Sequence, residues 1–230
     1  MSRFISLLMV MAMLAGAVEG AASYMPPALA DRISVGVRSA HFDFTNNKKR
    51  IFAADGEFIG GFTEGISIDE LNEIQNYRPL VYGRYQCTDY IALEIAQERI
   101  RGDALTYWDG HTDGELDVKG VSLTFLGVFA NATRFQPYAG AGVAYLDAEF
   151  DHAPWGQGVH IIDTEKRTTG YLVTAGCSVA VWSGLSIDIE IRYLEADVDS
   201  HFSFVPNNSN YYWTFPIDNW AGQAGVKWTF

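Results

Sequence analysis

Apolar and polar side chains alternate with a period of two in eight separate segments, and this constrains the chain more than anything else in it. In 185–194, Leu185, Ile187, Ile189, Ile191 and Tyr193 form one face; Ser186, Asp188, Glu190, Arg192 and Leu194 form the other. A helix needs apolar residues three and four apart, whereas a strand needs them two apart. Segment 91–98 sets Ile91, Leu93 and Ile95 against Ala92, Glu94, Ala96 and Glu98. Segment 171–181 sets Tyr171, Val173, Ala175 and Cys177 against Leu172, Thr174, Gly176 and Ser178. The same pattern runs from Ile33 to Arg38 and through 77–86, 121–129 and 137–145. It recurs in the final segment, where Gln223 and Lys227 oppose Trp220, Ala224, Val226, Trp228 and Phe230.

The connections alternate in length. Cys87-Thr88-Asp89, Asn131 to Phe135 and Ser183-Gly184 read as tight turns, and 45–76, 104–118, 151–167 and 200–218 as long loops. Short and long connections alternating around an even number of strands is the pattern of an outer-membrane barrel. A soluble sandwich or lipocalin-like barrel would turn its apolar face inward instead. Here the minority face carries charges together with Gly36, Ala92, Ala96, Gly140, Gly142, Ala144, Gly176 and Ala180, which suit a crowded narrow interior. The expected fold is all-β: an eight-stranded antiparallel transmembrane β-barrel with short periplasmic turns and long extracellular loops.

Composition narrows the function. With 16 basic and 28 acidic residues the net charge is −12, so the chain has no electrostatic reason to track phosphates and nucleic acid is not an expected partner. Two cysteines, Cys87 and Cys177, cannot build a disulfide framework or a four-thiolate metal site, and two free thiols are expected. The histidines have no metal-ligand spacing, and no cofactor or metal is expected. At the N-terminus, Arg3, the apolar run Phe4 to Ala17 and the small residues Gly20, Ala21 and Ala22 read as a cleaved signal peptide over 1–22, with the barrel domain over 23–230. Ala28-Leu29-Ala30 is an alternative cleavage site, and an uncleaved anchor is the alternative to secretion.

Inward positions hold Arg38, Arg84, Arg192 and Lys227, and also Glu94, Glu98, Asp188 and Glu190. An eight-stranded barrel is just wide enough for its side chains to fill it, so these charges must pair. That implies a salt-bridged, closed core centred on Arg84, Arg192, Glu94 and Glu190; the rival is a proton or ion path through them. In the first long connection, Asp55-Gly56 suggests a hairpin tip, and Ser67-Ile68-Asp69-Glu70 a capping box opening a short helix through Leu71 and Ile74. Segment 103–117 reads as a solvated acidic loop. The last loop carries Phe202, Phe204, Tyr211, Tyr212, Trp213 and Phe215. Tyr211, Tyr212, Trp213 and Phe215 read either as an interfacial girdle or as a hydrophobic entrance.

Phe135-Gln136-Pro137-Tyr138-Ala139-Gly140-Ala141-Gly142-Val143-Ala144-Tyr145 is similar to the PYxGxGxxY strand of the OmpW family, within the small OmpA-like barrels. Tyr85 to Tyr90 resembles that family's strand–turn–strand. Trp228 and the C-terminal Phe230 resemble the signal read by the barrel-assembly machinery. The resemblance implies a bacterial outer-membrane protein, with outer-membrane lipids, lipopolysaccharide and the assembly machinery as partners. It also implies a narrow channel for small hydrophobic compounds. A structural or adhesive barrel acting through its loops is the second expectation. The third is a lipid A-modifying enzyme, because His201-Phe202-Ser203 resembles the His-x-Ser pair of lipid A deacylases. That family's downstream Glu is missing, since the last Glu is Glu195, and an activated Ser needs an oriented base; the chain is therefore read as a non-enzyme.

Overall fold

A sheet that crosses a bilayer must close on itself, because hydrocarbon offers its edge strands no hydrogen-bond partner. In the computed structural model the chain does this with eight strands. The structure describes residues 31–46, 50–53, 58–60, 68–74, 78–106, 112–152, 159–164, 167–204 and 209–230. The leader expected over 1–22 and the Asp55-Gly56 tip lie outside them. The wall consists of β1 (Ile33–Asn46), β5 (Leu80–Thr88), β6 (Ile91–Thr106), β7 (Thr112–Val128), β8 (Phe135–His152), β10 (Arg167–Trp182), β11 (Leu185–Glu195) and β14 (Asp218–Thr229). Each of these strands pairs antiparallel with its neighbours in chain order, and β14 returns to β1 to close the ring. The remaining strands lie in the long connections: β2 (Arg50–Ala53), β3 (Phe58–Gly60), β4 (Ile68–Glu73), β9 (Val159–Thr164), β12 (Asp197–Phe204) and β13 (Ser209–Pro216).

The outer face carries its own ruler. Tyr90, Phe129, Phe135 and Trp182 project outward near the short turns; Tyr145, Tyr171 and Trp220 project outward towards the other end. From Phe135 to Tyr145 is ten residues along β8, about 33 Å of strand. Tilted at about 40°, that strand spans about 25 Å of membrane, the height of an outer-membrane apolar band. Between the two aromatic girdles the exposed side chains are Ile95, Leu123, Phe125, Val143, Val173, Ile189 and Ile191.

Above the upper girdle the polarity of the wall inverts. Arg99, Arg101, Asp117 and Lys119 now face outward, while Ile100, Leu116, Val118, Leu146 and Ala148 are buried inside. The barrel continues beyond the bilayer as a water-facing β-structure. Most of the expected long loops are therefore strand. Residues 104–106 and 112–118 belong to β6 and β7, whose ladder has fifteen registered pairs, so Asp103, Glu115 and Asp117 sit on strands rather than in a solvated loop, while 107–111 lie outside the described residues. Segments 45–76, 151–167 and 200–218 supply a second sheet, in the order β3-β2-β13-β12-β9. Within it β2 pairs with β3, as the Asp55-Gly56 signal implied.

The expected helix at Ile68 to Ile74 is instead the strand β4, paired with the upper part of β6 from Ile68↔Thr106 to Glu73↔Gly102. A capping box satisfies a few end groups, but one or two turns of helix scarcely repay their nucleation cost. An open ladder is available close by: Pro79 has no N–H to donate, β5 begins only at Leu80, and β6 continues above it. The first turn also moves by a residue or two, since Cys87 belongs to β5 and the turn is Asp89-Tyr90. Both cysteines are free thiols. The Ser183-Gly184 turn is as expected, with Gly184 at φ 77°, a left-handed conformation that glycine adopts without strain.

Candidate functional site

The interior is built in tiers. Even-numbered residues of β1, β5, β6, β7, β8, β10 and β11 point inward, as do odd-numbered residues of β14. Parity alone therefore brings all eight expected charges, Arg38, Arg84, Glu94, Glu98, Asp188, Glu190, Arg192 and Lys227, into the lumen, where every one is buried and paired.

The central tier joins seven strands. Glu94 on β6 is shared: Arg84 Nη2 donates to its Oε2 at 2.7 Å, and Arg38 Nη1 to its Oε1 at 2.9 Å. Arg38 also reaches Glu190 on β11 at 3.3 Å. Asp188 accepts from Tyr82 Oη at 2.8 Å and from Ser178 Oγ at 2.5 Å, and it lies 3.4 Å from Arg84. Lys227 Nζ donates to Ser178 Oγ at 2.8 Å and lies 3.6 Å from Asp188. Tyr138 donates to Glu190 at 3.1 Å, and its ring lies 4.3 Å from the Arg84 guanidinium carbon. One tier higher, Arg192 grips Glu98 with two hydrogen bonds of 2.5 Å, and Ser122 adds a third at 2.6 Å. Buried charges persist only with such multiple partners.

Glycine makes room for the two tyrosines. A Cβ on Gly36 would sit 2.4 Å from the Tyr82 ring, and one on Gly176 2.6 Å from that of Tyr138. Tyr82, Tyr138, Ser122 and Ser178 were absent from the expected network. Their inward parity beside the charges was the available signal.

On one side of this tier, a cavity of about 420 Å³ opens at the short-turn end. Its lining includes Lys227, Arg84, Gln86, Gln136, Ser186 and Thr229. On the other side the lumen is filled by hydrocarbon. Phe42, Leu116, Val118, Leu146, Leu172 and Leu194, with Val198 and Ile217 further out, form one cluster whose members are each at most 5% exposed. Sequence reading set Leu172 and Leu194 on the inward face but missed the tier they belong to, because Leu116, Val118 and Ile217 lie where loops were expected and Phe42, Leu146 and Val198 lie beyond the expected strands.

The other expected sites fall at the ends. Trp228 pairs across both seams, with Val35 of β1 and Leu185 of β11, and the backbone N–H of Phe230 donates to Ile33 O at 3.2 Å. Tyr211, Tyr212, Trp213 and Phe215 lie on β13 between β12 and β2, and their side chains are outside the described set. His201 and Ser203 stand two residues apart on β12, also with undescribed side chains. Among the described residues no cluster of three or more His, Cys, Asp or Glu could hold a metal ion.

A family model described as the outer membrane protein beta-barrel domain matches residues 6–230. No curated protein matches the chain. Among solved structures, the chain is similar to the outer membrane protein OprG from Pseudomonas aeruginosa, at 13% identity and a TM-score of 0.69, covering 87% of this chain and 97% of OprG. It is similar to outer membrane protein AlkL in lipid bilayers, at 13% identity and TM-score 0.55, covering 90% and 93%. It is also similar to Outer Membrane Protein W of E. coli, at 18% identity and TM-score 0.54, covering 87% and 98%. At these identities the likeness is one of fold.

Proposed function

Because the chain belongs to the outer membrane protein β-barrel domain family, we propose that it sits in the bacterial outer membrane and passes small hydrophobic compounds from the outer face into the bilayer. The observation that carries this reading is the order of the interior tiers. An apolar solute arriving from outside meets a tier of Leu, Val, Ile and Phe that matches its chemistry. Beneath that tier it meets Arg192–Glu98 and then the Arg38–Glu94–Arg84 group. Hydrocarbon gains nothing from entering a salt-bridged layer, and opening the layer would strand buried charges at several kcal/mol each. Movement straight to the periplasm is therefore disfavoured, and exit is sideways.

The wall has its shortest strand at β5. β5 has nine residues, and its ladders to β1 and β6 have six registered pairs each, against fifteen for β6–β7 and for β7–β8. Pro79 ends that strand just above the level of Arg38, which is opposite Leu80. Ions have no such route, since the apolar tier offers them no polar partner and the charges beneath it are already paired. The partners this reading implies are outer-membrane lipids, lipopolysaccharide and small hydrophobic ligands, with the barrel-assembly machinery meeting Trp228 and Phe230 during insertion.

The test uses liposomes with lipopolysaccharide in the outer leaflet and an apolar naphthylamine dye that fluoresces only in hydrocarbon. The protein is expected to speed arrival of the dye in the bilayer. A rate equal to that of protein-free liposomes sinks the proposal. The enzyme alternative has its own readout: a change in lipid A mass on expression that Ser203→Ala abolishes.

A further inference from the structure

The cavity at the short-turn end is a well with a charged floor, and its volume of about 420 Å³ lies within the range of small-molecule sites. Four of the described residues that line it carry charge, and depth separates them. Asp31, just before β1, and Asp89, in the turn after β5, are exposed at the rim. Arg84 and Lys227 are buried at the floor. Between rim and floor the wall is neutral. Gln86, Gln136, Ser186 and Thr229 supply amides and hydroxyls, and Val128 and Ala180 supply hydrocarbon. The tier beneath balances Arg38, Arg84 and Lys227 against Glu94, Asp188 and Glu190, yet two of the three cations line the well and none of the three carboxylates does. The neutral tier therefore turns its positive side to the well. The Arg84 fork is committed, since Nε and Nη2 both donate to Glu94 Oε2. Lys227 is not. Its ammonium has three donors, and among the described residues only Ser178 Oγ accepts within hydrogen-bond distance, at 2.8 Å, while Asp188 stays at 3.6 Å. Buried donors are almost always satisfied, so the remaining N–H groups call for an acceptor from the well itself. Water supplies an acceptor; an anion supplies an acceptor and the opposite charge, which makes the stronger bond.

We propose that this well binds a short-chain organic carboxylate, its charged end on Lys227 and its alkyl end against Val128 and Ala180. One uncommitted cation at the floor matches one negative charge. A phosphate dianion would bring a second charge to a tier that is already neutral, past the carboxylates of Asp31 and Asp89 at the rim. The wall's hydrocarbon favours an organic anion over an inorganic one. The solute arrives from the short-turn side, across the charged tier from the apolar one. The site is therefore separate from the passage reading and stands or falls without it.

The experiment titrates butyrate, butyramide and inorganic phosphate at constant ionic strength onto the full chain in lipid nanodiscs, with empty discs as the blank. Lysine side chains are ¹³C-labelled at Cε, and the Lys227 signal is assigned by its disappearance in Lys227→Met. Butyrate is expected to shift that signal saturably, whereas butyramide, of the same shape without the charge, leaves it in place. Ser186 stands on β11 directly opposite Lys227 and belongs to no ion pair, so Ser186→Asp offers the ammonium a carboxylate of the protein's own. That variant is expected to weaken butyrate about tenfold, the worth of one charged hydrogen bond, while Ser186→Asn stays within about twofold of the parent. Heat-modifiable gel mobility checks folding; if Ser186→Asp fails to fold, Gln136→Glu, on the wall of the same well, carries the same expectation. A Lys227 signal that butyrate does not move overturns the proposal, as do equal shifts from butyrate and butyramide. Undiminished butyrate binding in the folded acidic variant overturns it too, and phosphate binding more tightly than butyrate overturns the assignment to an organic monoanion.

Discussion

Glu94 holds two guanidinium groups at once, Arg84 at 2.7 Å and Arg38 at 2.9 Å. Glu94→Gln keeps the shape and removes the charge both depend on. Its expected cost is about 3–5 kcal/mol, read as a lowered urea midpoint in lipid bilayers, because two buried cations lose their shared partner. Asp117 lies above the membrane and behaves differently. Burial pushes its carboxyl up, but hydrogen bonds from Lys119 and Arg99 outweigh that and hold it below the usual carboxylate range. A depressed folded value means the stabilisation is complete above about pH 4 and is lost as pH falls through the folded value. Asp117→Asn is therefore expected to lower stability by up to about 1 kcal/mol at pH 7 and by less at pH 2, measured by unfolding at both. An equal loss at both pH values would show that the ion pair is not responsible.

At the scale of elements, each strand serves two environments, and the change from one to the other explains what the sequence showed and what it hid. Between Phe135 and Tyr145 the outward residues are apolar, so parity assigned the lumen correctly, down to all eight charges. In Asp117-Val118-Lys119 and Leu146-Asp147-Ala148-Glu149 the alternation persists with its sense reversed. A reading tuned to apolar-outward strands takes that reversal for loop, and so it loses the upper tier, β4 and the second sheet. Parity also turns Tyr82 and Tyr138 inward, but their part in the charge network depends on the space left by Gly36 and Gly176 on neighbouring strands, which is a matter of register. Two predictions belong to this scale. Leu146→Ala is expected to cost about 2–5 kcal/mol in the same unfolding assay, as a cavity in a packed core does. Pro79→Ala restores an N–H and lets β5 lengthen its ladder towards Asn46, so dye delivery into the bilayer is expected to slow.

For the whole molecule, a mean hydropathy of zero conceals a membrane wall, because lipid-facing and lumen-facing residues cancel along each strand. The same cancellation runs vertically. A polar mouth at the short-turn end, a salt-bridged middle and an apolar upper tier make a barrel that is closed to ions yet receptive to hydrocarbon from one side. The most direct measurement of that claim records salt conductance and naphthylamine dye arrival on the same lipopolysaccharide-faced membrane. The account predicts that the protein accelerates dye entry into the bilayer while producing no discrete ionic conductance. Steady ion conductance without any acceleration of the dye would contradict it.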